Sequence, residues 1–190
     1  YMLFTSHWDH LGKKSGEKSG APTEDFYRDD IFNGAVDNAT GSAAMLEIAE
    51  ALAAEPHARS GLFVSVTLEE SGLLGSAYYA ENPTVPLNKV VAGINMDGML
   101  PVGRTRDMVV VGYGASELED LLTDKLTAQD RVVKPDPKPE AGYFYRSDHI
   151  SLAKKGVPML YADGGSDKRD GGEAAGMAAA EAYTAQRYHK

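Results

Sequence analysis

Side chains able to hold a divalent cation recur in this chain where apolar runs end. His7-Trp8-Asp9-His10 follows the run that starts at Met2, Glu69-Glu70 follows Leu62 to Leu68, and Asp97 follows Val90 to Met96. Asp37 lies just before a helix-like stretch, in Asn33-Gly34-Ala35-Val36-Asp37-Asn38, and Ser147-Asp148-His149 opens another. Imidazole and carboxylate suit zinc, with Co²⁺ or Mn²⁺ as substitutes. A carboxylate left unligated beside such ions would serve as acid or base. Cysteine is absent, which excludes disulfides, thiolate zinc sites and cysteine nucleophiles together.

Each position also has a plainer reading. Asp37 and Asp148 suit helix N-caps, Asp97-Gly98 a turn, and Glu69-Glu70 a solvated strand end. A lone histidine is more often a surface or core residue than a ligand. The plain readings must, however, coincide at five strand or helix ends. His57 and His189 have no such context and read as surface residues.

The elements that would position these residues follow from periodicity. Met2 to Phe4, Leu62 to Leu68, Val90 to Met96, Met108 to Val111 and Met159 to Ala162 read as strands, several rich in β-branched residues. Gly41 to Glu55, Leu74 to Glu81, Ser116 to Ala128, Ser147 to Lys155 and Glu173 to Gln186 read as helices. Gly12 to Asp30 is polar and reads as a surface loop, and Pro135, Pro137 and Pro139 predict an extended loop. Strands alternating with helices predict an α/β domain, a mostly parallel sheet covered on both faces, with ligands beyond the carboxyl ends of the strands.

The chain of 190 residues suits one domain, 1–190. A net charge of −9 disfavours nucleic acid as a partner and suits a site that collects cations, although it also serves plain solubility. No apolar run reaches the ~20 residues of a membrane span. The chain begins without Met in a strand-like run and stops at Tyr188-His189-Lys190, which reads as a domain excised from a longer protein.

The segments HWDHLG, NGAVDNATGSA, TLEESGLLGS, INMDG and YRSDHISL, in this order, resemble metallopeptidase family 28, which includes di-zinc aminopeptidases with glutamate carboxypeptidases and glutaminyl cyclases as relatives. The resemblance implies a three-layer α/β/α domain of zinc-exopeptidase (phosphorylase/hydrolase-like) type that binds two Zn²⁺. It implies that His7 and Asp97 bind one zinc, Glu70 and His149 the second, and that Asp37 bridges them by a residue preceding a cis peptide. Asp9 would orient His7 from behind, with Asp148 in a similar supporting place, and His10 is the rival for the role of His7. Glu69 would be the general base acting on a metal-bridged water, so that N-terminal residues are hydrolysed from peptides. Tyr145 or Tyr143 is a candidate donor to the oxyanion, although packing explains them as well, and Phe144 would line a side-chain pocket.

Three other readings remain open. A glutaminyl cyclase would use the same scaffold, typically with one zinc. A carboxypeptidase for acidic dipeptides would call on Arg104, Arg106 or Arg146. A binding domain derived from a peptidase would be expected to have lost ligands or the base. The resemblance further implies a parent protein that is periplasmic or secreted. It also implies that strands before residue 1 and a helix after residue 190 are missing, leaving apolar surface through which the fragment self-associates.

Overall fold

The computed structural model describes residues 1–13 and 31–190; the polar stretch expected to form a surface loop lies mostly outside them. The strands are β1 (Met2–His7), β2 (Gly12–Lys13), β3 (Ile31–Phe32), β4 (Gly61–Val66), β5 (Ala92–Asn95), β6 (Asp107–Val110), β7 (Val132–Pro135) and β8 (Met159–Gly164). The helices are α1 (Ala39–Ala54), α2 (Leu74–Glu81), α3 (Leu118–Thr127), α4 (His149–Ala153) and α5 (Gly172–Gln186). Among the described residues, no helix is long and apolar enough to cross a membrane.

Six strands form the central sheet in the order β4-β1-β5-β8-β6-β7. The first four run parallel. β6 is antiparallel to β8, and β7 is parallel to β6. The sheet is therefore mostly parallel, as expected, with one reversed pair at an edge. β7 is an addition to the expected elements, because Val132–Pro135 ends in the stretch whose prolines predicted an extended loop. A proline at the end of an edge strand costs no ladder bond.

β1 is central, and its residues Leu3 to His7 are buried. Adjacent side chains of a strand point to opposite faces, so β1 feeds two cores. Leu3 packs with Ala80 of α2, Leu152 of α4, Val157 and Met159. Phe4 packs with Met45 of α1 and Met96, and its ring stacks on Phe63 at 5.0 Å. α1 thus covers one face and α2 with α4 the other, which makes three layers.

Parallel pairing aligns the carboxyl ends of β1, β4, β5 and β8 along one edge, and the reversed β6 begins there, with Met108 opposite Gly164. The N-terminus of α1 meets the same edge at close range. A Cβ on Gly41 would lie 2.3 Å from the Met96 carbonyl oxygen and 2.4 Å from Asn38 Oδ1. Gly41→Ala is therefore expected to cost at least about 1–3 kcal/mol, as overpacking against unyielding atoms does. Thermal unfolding measures this, and an unchanged melting temperature would contradict the close approach.

Candidate metal centre

At the end of β1, His7 is fully buried. Its Nε2 lies 3.3 Å from Asp37 Oδ1 and 3.2 Å from Asp97 Oδ1. Its Nδ1 is held 3.0 Å from the Asp9 carbonyl oxygen, so the backbone of Asp9 orients the ring, while the Asp9 carboxylate stands farther off at 3.7 Å. That carboxylate instead accepts a hydrogen bond from the Leu68 N–H at 2.6 Å, tying the end of β1 to the turn after β4. Ser147 Oγ donates to Asp97 Oδ2 at 2.5 Å and accepts from Asn95 Nδ2 at 2.6 Å.

A second group of donors shares Asp37. His189 Nε2 lies 3.1 Å from Asp37 Oδ2 and 3.2 Å from Glu70 Oε2, and His10 Nδ1 lies 2.5 Å from Glu70 Oε1. The two groups, His7/Asp37/Asp97 and His10/Asp37/Glu70/His189, each bring their donor atoms within 4.8 Å of one another. A tetrahedral zinc with bonds of 2.0–2.1 Å sets its ligand atoms about 3.3 Å apart. The spacings around His7 and His189 match, so the donor set fits the zinc that the sequence implies.

Asp37 can face both groups because its neighbour fixes it. The Asp37–Asn38 peptide is cis. The buried Asn38 side chain accepts from the Gly41 and Gly98 N–H groups and donates to Ser6 Oγ and the Met96 carbonyl. One amide thereby caps α1 and joins it to the ends of β1 and β5. The N-cap of α1 is therefore Asn38 and not its neighbour Asp37, which the sequence also suited to that place.

Glu69 and Glu70 follow a turn in which Leu68 adopts the left-handed region, φ 57°, which non-glycine residues rarely occupy outside constrained sites. Glu70 joins the second group and Glu69 belongs to neither. Burial, with Asp97, Asp148 and Glu70 nearby, pushes the Glu69 carboxyl up to about 8. Burial opposes charge on His7, but hydrogen bonds to Asp37 and Asp97 prevail and raise the imidazole to about 11.

Three residues lie otherwise than expected. His149 is buried but joins neither group. Its ring is wedged against Phe144 at 5.0 Å and Tyr161 at 4.9 Å, and burial lowers its pKa to about 4. The histidine that meets Glu70 is His189, which read as a surface residue. It follows α5 in the left-handed region, φ 55°, with its ring stacked on Tyr188 at 3.9 Å. Tyr145 is 68% exposed and packs on Phe144, and Tyr143 lies beneath the Arg146 guanidinium. Half-buried Tyr161 lies beside the centre, and its hydroxyl is kept from ionising by loss of solvent and by Asp97, Asp163 and Glu69. Asp148 is buried and makes no side-chain cap, and burial raises its carboxyl to about 6. His57 is exposed.

A mostly parallel α/β sheet with imidazole and carboxylate donors gathered beyond its strand ends is the architecture of a metallohydrolase. The sequence matches Peptidase family M28 over residues 1–190, and the chain belongs to that family. No curated protein matches it. The fold is similar to that of the LapA aminopeptidase of Legionella pneumophila (TM-score 0.60, 19% identity, 92% of this chain and 40% of that one). It is also similar to a zinc aminopeptidase from Bacillus subtilis (0.59, 18%, 97% and 45%). A glutaminyl cyclase of Porphyromonas gingivalis shares it too (0.60, 22%, 90% and 59%). The chain thus spans 40–59% of the length of these proteins.

The protonation of the metal-free centre sets a pH dependence. Glu69 has a pKa of about 8 when folded against an ordinary 4.5, so between those values the folded chain holds a proton that the unfolded chain lacks. His7, at about 11 against 6.5, does the same above 6.5. Stability falls with rising pH wherever the folded state binds more protons. Both contributions decline together from pH 6.5 to 8, a window above the ordinary pKa of His149 and above the raised value of Asp148. The melting temperature of the metal-free chain is expected to fall across that window. Calorimetry showing a rise would contradict this reading of the centre.

Proposed function

We propose that the chain carries the active site of a di-zinc exopeptidase that removes N-terminal residues from peptides. The observation that carries this reading is the division of Asp37, with Oδ1 facing His7 and Oδ2 facing His189. A carboxylate with one oxygen in each of two donor groups is placed to bridge two ions. His7 and Asp97 would complete one site, and Glu70 and His189 the other. A cyclase with one zinc would need only one of these groups.

Two zinc ions held there would acidify a water and polarise the scissile carbonyl. The chain's own contribution is to hold the carboxylates in place and to move a proton. Glu69 is free of both groups, lies close enough to feel Asp97 and Glu70, and is half-buried. It takes a proton from the attacking water and delivers it to the departing amine. The surplus of carboxylates, with Asp148 behind them, provides partners for a protonated substrate α-amine and so favours cleavage at a peptide's N-terminus. Half-buried Tyr161 lies nearer these groups than the exposed Tyr145.

Glu69→Gln keeps the shape and removes the base. In the full chain assayed on aminoacyl-p-nitroanilides, kcat is expected to fall by roughly 10²–10⁴-fold, with zinc content unchanged. Glu70→Gln and His189→Ala are expected to lower zinc content, and His149→Ala to leave it intact. Turnover and bound zinc are measured together. Near-normal turnover in Glu69→Gln would sink the assignment of the base, and loss of zinc only in His149→Ala would reverse the choice of histidine.

A further inference from the structure

The two donor groups are unequal, and the difference is His10. Among the described residues, the first group has three donor residues, His7, Asp37 and Asp97, and the second has four, His10, Asp37, Glu70 and His189. Resting on the di-zinc reading above, we infer that His10 is a ligand of the second ion, through Nδ1, and that this site fills first. The first site, with fewer protein donors, keeps the position open to water and substrate.

The contact between His10 and Glu70 carries the argument. Nδ1 and Oε1 are 2.5 Å apart, both are buried, and among the described residues neither makes a hydrogen bond of regular geometry. Both atoms lie within 4.8 Å of the Asp37 and His189 donor atoms, so a single ion is within reach of all four residues. Glu70 is well buried, its side chain 8% exposed, and its other oxygen faces His189. An unpartnered carboxylate oxygen in such a place costs stability unless something satisfies it. A cation between Oε1 and Nδ1 does so, with modest opening of their spacing.

The surroundings hold the His10 ring in this position. Its face is met by His189 at 5.4 Å and Phe32 at 6.2 Å, both edge-on. Gly34, at φ 63°, passes so close that a Cβ there would lie 3.1 Å from His10 Cβ and 3.0 Å from the Asp37 carbonyl oxygen. The left-handed glycine thus lets the segment that carries Asp37 lie directly against His10. By contrast, both ring nitrogens of His7 are already directed, one to Asp9 and one to the Asp37/Asp97 pair. A site closed by four protein donors holds its ion more tightly than one that leaves a position for water, the usual division between structural and catalytic zinc.

The test uses the full chain, labelled with ¹⁵N in its five histidine rings, freed of metal and titrated with zinc. Single His→Gln variants assign the resonances. The first equivalent is expected to move the ring nitrogens of His10 and His189, and the second those of His7, with His57 and His149 unmoved. His10→Gln, checked for native circular dichroism, is expected to weaken the first binding step by roughly tenfold or more while sparing the second, a loss at least as large as removing a ligand's hydrogen-bond partner causes. A response of His189 without one of His10 overturns this inference and leaves the di-zinc reading standing, as does a first equivalent that moves His7. If neither His7 nor His189 responds, the di-zinc reading falls and this inference with it.

Discussion

The centre depends on one carboxylate serving two neighbourhoods. Asp37 is held with each oxygen facing a different imidazole, His7 and His189, and every other group of the centre is arranged around that division. It gathers Asp37, Glu69, Glu70 and Asp97 where burial makes each negative charge expensive. In the metal-free chain, protons take up the burden: Glu69 is raised to about 8 and His7 to about 11. On the proposed di-zinc reading, two Zn²⁺ would bring four positive charges against three from Asp37, Glu70 and Asp97, leaving room for one hydroxide.

Such a concentration of charge persists because the atoms behind it are over-determined. Asn38 makes four hydrogen bonds, two accepted and two donated, and thereby fixes the peptide after Asp37 to three elements. Ser147, itself held by Asn95, fixes Asp97. The carboxylate of Asp9 fixes the turn at Leu68, and its backbone fixes His7. Orienting partners of this kind set the direction and basicity of metal ligands, and most of them sit on or beside strand ends. The site is therefore as stiff as the sheet. The helix that ends near His189 is anchored from elsewhere. Buried Asp107, at the start of β6, accepts hydrogen bonds from the Ser166 and Asp167 N–H groups in the segment that leads to α5.

What could be read from the amino-acid sequence follows the same logic. The long central strands were legible from their apolar, β-branched runs, whereas β2 and β3 are too short to show a pattern, and Lys134 and Pro135 of β7, at an edge, carry no buried one. His7, Asp37, Glu70 and Asp97 were legible because strand ends and a helix start bring them to one edge. His189 was not, since it follows an Ala-rich helix with no motif around it, and only the docking of α5 and the left-handed turn at His189 deliver its ring. His149 stood in the more persuasive context, Ser147-Asp148-His149, of which Ser147 does support the centre by holding Asp97. The histidine itself turns into the packing between Phe144 and Tyr161. Tyr145 stands next to Ser147-Asp148-His149 in the sequence and is exposed, whereas the pairing of β8 with β5 brings half-buried Tyr161 close to Asp97.

Glu69 and Glu70, adjacent in the sequence, take different places at the centre. In a continuing strand, adjacent residues would point to opposite faces and one of them would leave the centre. The left-handed turn at Leu68 breaks that alternation, so one carboxylate enters a donor group while the other stays nearby and unligated. Its pKa then answers to opposing influences. Burial and the surrounding carboxylates raise it, and any cations bound beside it would lower it again. A proton shuttle works best when its pKa lies near the working pH, and neither influence alone would leave it there. On the proposed reading, the acidic surroundings would both attract cations and keep Glu69 basic enough to accept a proton beside them.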